Sequence, residues 1–466
     1  MTPGQPYTAS TLYPSPSEAS LKLQFLGKQI KDVQAPAAII DAAVVRRNCK
    51  LMLDTAEKLG CTFRAHVKTH KTKELSELQV GKDSKSVRLV ASTLSEIEHL
   101  APWLYECKSR GKEVSVFYGL PLSLSAVSRL AAIARVLGEG TVGIFADHPT
   151  HVKVLDQVDE KTWPGKIPVF FNVDVGYHRE GVAPDSKQLA DVAYAMKASK
   201  RATLAGVYTH FGSSYGVSSP EEALKAMAGE LQGLEQGAIE FLKCTGADIS
   251  SDPNAPKVVL SLGASPTATA IQNLLEGGDE FKQYRAVIEN CQKSFEVEFH
   301  AGVYPVMDMQ QLATRARPQH AVANPQQSLL SFQDLGMRIL TEVASVYPER
   351  EEVLVASGGI VFGREPCKSY PGWGVVTPWP ASEGQVYDPE TSKTGWIIAR
   401  IAQEHGNLTW EGPKDNYREL QVGDKLLVWP NHACIASANF GWYLVVDSDK
   451  PDPERIDDVW VRWRGW

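Results

Sequence analysis

Residues 63–72 read FRAHVKTHKT. The stretch opens on Phe63 and runs through Val67 like the inside of a strand, yet it delivers Lys68 between His66 and His70. An ionised lysine is almost never buried without a partner. Two readings are open: a strand end that reaches solvent, or a lysine held in a pocket to form a covalent bond. THFGSSYG (209–216) and SLGASPT (261–267) are loops of glycine and small hydroxyl residues, the second followed by the helix-like ATAIQNLL. Backbone N–H groups at a helix N-terminus, with Ser and Thr hydroxyls beside them, bind phosphate well. Taken alone, each loop is also an ordinary turn with an N-cap hydroxyl. Farther along, PNHACIAS (430–437) sets His432 and Cys434 two apart on an apparent strand, which points both side chains to one face. Imidazole and thiolate are zinc ligands. Two protein ligands are too few for a structural site but leave the open positions that catalytic zinc requires. The plainer reading is a buried cysteine near an unrelated histidine. Glu404 and His405 of QEHG are candidates for a third ligand or its support.

These groups need a scaffold. The apolar runs CTFRAHV, VRLVAST, VSVFYGL, TVGIFAD, IPVFFNVDV, ATLAGVYTHF, VVLSLGA and FEVEFHAGV are short, rich in Val, Phe or Thr, and bounded by polar or Gly/Pro residues. Buried parallel strands read this way. Between most of them lie segments of helical periodicity, such as 122–138 and 220–244. Eight such units in succession predict an α/β fold closed into a (β/α)8 TIM-type barrel over residues 31–313, after an N-terminal arm at 1–30. A polar, irregular crossover at 314–330 opens the rest of the chain, 314–466. There, strands separated by turns predict a mostly antiparallel β domain carrying the His432–Cys434 pair. Residues 362–395 read as a long loop dense in Gly, Pro and aromatic residues.

Composition excludes several classes. With 466 residues, 43% hydrophobic and 22% charged, the chain is that of a globular protein of two domains. A net charge of -7 and no basic run argue against nucleic acid. No apolar run approaches the roughly 18 residues of a membrane span. The first residues lack the basic and apolar regions of a signal peptide. Seven scattered cysteines fit reduced thiols in the cytoplasm.

Barrel enzymes collect their reactive groups at the C-terminal ends of the strands, and phosphate sites recur on the late strands. A phosphate cup on two late loops and a nucleophilic lysine on an early one point to pyridoxal phosphate. Together HVKTHKT, DVGYHREG (174–181), THFGSSYG, SLGASPT and HAC resemble the fold-type III pyridoxal-phosphate enzymes. Within these, the likeness is to the eukaryotic D-serine dehydratases and the D-threonine aldolases, with alanine racemase more distant; it covers roughly residues 30–460. The resemblance implies Lys68 as the Schiff-base lysine and Arg179, with Tyr177 beside it, as cofactor contacts on the ring-oxygen side. It also implies His210 against the ring, and Gly212, Ser213, Gly263, Ala264 and Ser265 around the phosphate. Tyr304 and Asp308 are placed as further cofactor contacts at the end of the last barrel strand. Arg179 paired with Asp174, and His210 as a satisfied core histidine, are the structural alternatives. The likeness further implies Zn2+ on His432 and Cys434, a small D-amino acid as substrate, and a homodimer. The expected reaction is D-serine to pyruvate and ammonia, with Lys68 removing the α-proton and zinc aiding departure of the β-hydroxyl. Rival readings are a D-threonine aldolase, a non-catalytic pyridoxal-phosphate carrier, and a barrel without cofactor.

Overall fold

The computed structural model describes residues 13–247, 257–276, 279–317, 330–379 and 386–466. The start of the arm (1–12), most of the 314–330 crossover and residues 380–385 of the long loop lie outside the described residues. The chain divides into two units: Met1–Pro14, Lys50–Gly302 and Trp463–Trp466 form the first, and Ser15–Cys49 with Val303–Arg462 the second.

In the first unit the eight apolar runs form strands β2 (Thr62–His66), β3 (Ser86–Ala91), β4 (Glu113–Pro121), β5 (Val142–Ala146), β6 (Ile167–Asn172), β7 (Ala202–Tyr208), β8 (Val259–Leu262) and β9 (Glu296–Ala301). All pair in parallel, and β9 pairs with β2 to close the barrel. Several of the helices that follow start on a hydroxyl at the C-terminal rim: Thr72, Thr93, Ser186 and Ser219 each cap one. The barrel interior is filled by Val90, Phe117, Phe145, Phe170 and Tyr208. Nearer the N-terminal ends of the strands, the buried Arg64 donates to Glu298 at 2.6 and 3.1 Å. Its guanidinium lies 5.0 and 5.2 Å from the Phe117 and Phe170 ring centres. Burial would raise the Glu298 carboxyl, but Arg64 and Arg88 outweigh it and hold the pKa below its usual value. The barrel interior there is filled by this ion pair and the rings against it.

In the second unit, β1 (Ala37–Asp41), β10 (Met337–Tyr347), β11 (Glu352–Val355), β12 (Gly374–Val376), β13 (Gly395–Ile401), β14 (Gly406–Glu411), β15 (Lys425–Pro430), β16 (Trp442–Val446) and β17 (Asp458–Val461) form one sheet in the order β11-β14-β13-β12-β15-β10-β1-β16-β17. The long β10 bonds β1 and β15 through its first half and β11 through its second, with a register shift between Val343 and Ser345. That irregularity bends β10 enough to close six strands on themselves. Pairing is antiparallel except between β1 and β16.

Three features depart from the sequence pattern. The strand at 37–41 joins this sheet, and residues 303–313 belong to the same unit, although the pattern sets the boundary at 313/314. The arm contributes structure: Glu18–Phe25 is a helix capped by Ser17, and Leu21 and Ile30 join the sheet's core together with Val33 just beyond the arm. The long loop contains β12, whose three residues are too few to show as a period but pair with β13 and β15.

Candidate active site

Strand β2 ends at His66, and the chain then tightens: Lys71 N–H reaches the Val67 carbonyl at 2.9 Å, with Lys71 at φ 50°. This turn sets the half-buried Lys68 at the C-terminal rim. The two flanking histidines play different parts. His70 is buried, with Nε2 2.8 Å from Gln79 Oε1 and Nδ1 3.2 Å from Thr72 Oγ1, and it pins the turn. His66 faces Lys68: its Nδ1 accepts the Lys68 N–H at 3.4 Å, and its Nε2 lies 3.4 Å from Ser92 Oγ. Burial holds the His66 pKa well below its usual 6.5, and the positive charge of Lys68 and Arg179, with His300 and His210, pushes the same way.

His210 follows β7, and its Nδ1 donates to the Gly263 carbonyl at 2.9 Å, which leaves a lone pair on Nε2. His300 on β9 stacks on Tyr208 at 4.2 Å and faces His210 at 6.3 Å. Tyr177 meets His210 edge-on at 6.1 Å. Burial, then neighbouring cations including Arg179 and Lys68, lowers both His210 and His300 well below 6.5. Three neutral imidazoles thus share the rim with two cations. Arg179 pairs with Glu180, not with Asp174. Asp174 instead accepts the N–H groups of Gly176 and His178 and faces the His178 ring at 2.7 Å. Arg179 itself is exposed.

The two small-residue loops are shaped closely. Gly212 opens a 3-10 turn, Gly212–Gly216, and a Cβ there would lie 2.3 Å from the Tyr177 ring. Gly263 sits at φ +142°, where a Cβ would strike the His300 carbonyl at 2.3 Å. Ala264 and Ser265 are buried at the start of the helix Ser265–Ala270, and Ser213 is exposed. Two amides expected at a phosphate are already engaged: Gly263 N–H donates to Glu230 and Ala264 N–H to Thr267 Oγ1. Glu230 belongs to no motif of the sequence. It falls three residues after Met227 and four before Leu234, on the buried stripe of the helix Pro220–Thr245, where a carboxyl is out of place.

Several buried polar atoms have no hydrogen-bond partner among the described residues: both side-chain atoms of Asn172, Ser214 Oγ, Thr269 Oγ1 and His300 Nε2. All belong to the C-terminal ends of β6–β9 or the segments that follow. Orphaned polar groups are costly. With a lysine, an arginine and small-residue loops around them, they suit a phosphorylated, hydrogen-bonding ring such as pyridoxal phosphate.

Residues 303–462 hold a second cluster. Tyr304 is buried in that unit, beside Cys49. Asp308 caps the helix Met309–Thr314, with Oδ1 accepting Gln311 N–H and Oδ2 accepting Ala433 N–H, each at 2.9 Å. Both of its oxygens are therefore held by this unit. The His432–Cys434 pair does not lie on a strand. β15 ends at Pro430, His432 is the N-cap of the short helix Ala433–Ala436, and Cys434 lies inside it. The Asp308 carboxylate on Ala433 N–H turns the chain there, yet the two side chains still meet. Burial would lower His432, but the hydrogen-bonded Cys434 sulfur, Asp308 and Glu365 raise it to about 9. His432 Nδ1 is buried without a partner among the described residues. An imidazole with an open nitrogen beside a thiol fits a metal ion by donor type. Among the described residues, however, no group of three His, Cys, Asp or Glu is placed to hold one. Glu404 and His405, in the turn between β13 and β14, do not complete such a group.

Residues 40–271 match the family "Alanine racemase, N-terminal domain", and residues 336–446 match the "Putative serine dehydratase domain". The D-serine dehydratase of Schizosaccharomyces pombe is 32% identical over 469 residues, covering 98% of each chain. That of Saccharomyces cerevisiae is 29% identical, covering 95% of this chain and 99% of its own. The solved D-threo-3-hydroxyaspartate dehydratase from Delftia sp. HT23 shares the fold with a TM-score of 0.70 at 23% identity, over 94% of this chain and all of that one. The chain belongs to the D-serine dehydratase family, among the alanine racemase-like enzymes that use pyridoxal phosphate.

Proposed function

We propose that the protein is a D-serine ammonia-lyase that converts D-serine to pyruvate and ammonia with pyridoxal phosphate and zinc. The observation that carries the reading is the barrel rim, where Lys68 and Arg179 lie among three neutral imidazoles and unsatisfied polar atoms. Lys68 would hold the cofactor's aldehyde, with His210, Tyr177 and Arg179 beside the ring and Gly212, Ser213, Ala264 and Ser265 around the phosphate. When bound, pyridoxal phosphate supplies an electron sink for charge released at Cα. Lys68 would be the base that takes the α-proton. His66 supports the turn that presents Lys68, its Nδ1 accepting the Lys68 backbone N–H. Arg179 suits the substrate or cofactor as a fixed cation. Loss of the α-proton and β-hydroxide removes one water, and hydrolysis of the resulting enamine yields pyruvate and ammonia.

His432 and Cys434 would hold the zinc, a Lewis acid for the departing hydroxyl. Asp308 would support them by fixing the turn that carries both. Among the described residues no helix is long and apolar enough to cross a membrane. All seven cysteines are free thiols, which supports a reducing compartment such as the cytoplasm. We assign the assembly as a homodimer on the family likeness.

The test is product identity. Incubation with D-serine is expected to give pyruvate and ammonia in equal amounts, and D-threonine to give little glycine. Glycine and an aldehyde from D-threonine, with no pyruvate from D-serine, would replace the elimination by a retro-aldol cleavage.

A further inference from the structure

Glu230 is a carboxyl group with no counter-ion among the described residues to explain it. It lies on the helix Pro220–Thr245 and is 2% exposed. Its Oε1 accepts two amides from different loops, Phe211 N–H at 3.1 Å after β7 and Gly263 N–H at 3.0 Å after β8. Its Oε2 lies 3.3 Å from Thr267 Oγ1, which accepts the Ala264 N–H at 3.0 Å. The partners acting on the carboxyl are those two amides and the Thr267 hydroxyl, none of them a cation. A buried acid serving packing alone would be better replaced by an apolar side chain. What this one does, and an apolar side chain cannot, is tie the β7 and β8 loops to a single acceptor.

We propose that Glu230 is a positioning residue for the cofactor's phosphate, fixing the spacing of the Phe211–Ser213 and Gly263–Ser265 loops so that their remaining donors converge on it. The inference rests on the pyridoxal-phosphate reading above. Glu230 does not touch the phosphate; it uses up the amides of Phe211 and Gly263, and Thr267 that of Ala264, so the loops cannot slide against each other. Burial lifts its pKa to about 8, with the Gly263 and Phe211 amides and the Thr267 hydroxyl pulling the other way. At neutral pH the group therefore keeps its proton, and no carboxylate charge opposes a nearby phosphate. Glutamine reproduces this pattern, with Oε1 for the two amides and Nε2 for Thr267.

The experiment strips the cofactor from the holoenzyme and titrates it back, in parallel with pyridoxal, which lacks the phosphate. In Glu230→Leu, pyridoxal phosphate should bind about tenfold or more weakly while pyridoxal binds as in the wild type, since a lost buried hydrogen bond is worth about a factor of ten. Glu230→Gln should keep the wild-type ratio of the two affinities. If Glu230→Leu does not fold, Thr267→Val, which frees the Ala264 amide, should show the same phosphate-selective loss. Equal weakening of both ligands, or no weakening of either, would overturn the inference and leave Glu230 a packing residue. A wild-type protein that takes up neither ligand would overturn the function reading itself, a result distinct from a changed ratio.

Discussion

Lys68 is the residue on which the chemistry turns, and it shares the barrel rim with three imidazoles. His66, His210 and His300 are neutral, so they add no positive charge to a rim that already holds Lys68 and Arg179. Replacing Lys68 by alanine should abolish cofactor retention and lower pyruvate formation by about 10²–10⁴-fold or more, read in a coupled assay. The same histidines set an acid limit on stability. In the unfolded chain they bind protons near pH 6.5, and in the folded protein they do not. Stability therefore falls as pH drops below about 6.5, and thermal melts between pH 7 and 5 should show it. Glu230 has the opposite sign: it is protonated up to about 8 when folded, but ionises near 4.5 when unfolded. Its contribution falls as pH rises through that window. Glu230→Gln does not titrate, so from pH 6.5 to 8 it should gain on the wild type by on the order of 1 kcal/mol per pH unit.

At the scale of elements, the site is made of turns whose geometry is fixed from afar. Gly263 bends the β8 loop at φ +142° against the His300 carbonyl. Gly263→Ala should cost about 1–3 kcal/mol of strain, measured by urea unfolding, and loosen cofactor binding. Asp308 holds the His432–Cys434 turn through Ala433 N–H. Asp308→Ala would leave two buried amides unpaired, at about 1–3 kcal/mol. It should also lower bound zinc, measured by elemental analysis, while the cofactor absorbance persists. These turns mark where sequence reading stops. The barrel strands could be read because runs such as VSVFYGL end at polar or glycine residues and helices begin on Thr93 or Ser219. The H-x-C pair reads as a strand because its apolar neighbours continue β15, and the Asp308 that breaks the pattern is 125 residues away. Glu230 could have been found as the charged member of an apolar helical stripe, but its loop partners could not.

For the whole molecule, the sequence pattern shows eight βα units and a β region, yet not which sheet takes the strand at 37–41. An apolar run such as AAIID pairs wherever a free edge awaits it, and here β10 and β16 supply the edges. The filled end of the barrel depends on a charge pair that a strand pattern cannot show. Glu298→Ala would leave Arg64 buried and unpaired, and should destabilise by about 3–5 kcal/mol in denaturant titrations. The proposed homodimer predicts a mass of twice 51.1 kDa by sedimentation equilibrium; a monomer would contradict it. The most direct test is the absorbance of the purified protein, followed by D-serine and a pyruvate assay with and without a chelator. The expected result is a band near the visible edge that is lost in Lys68→Ala, and pyruvate formation that stops on chelation while the band remains. A protein with no such band, or one that makes pyruvate equally well in Lys68→Ala, would contradict it.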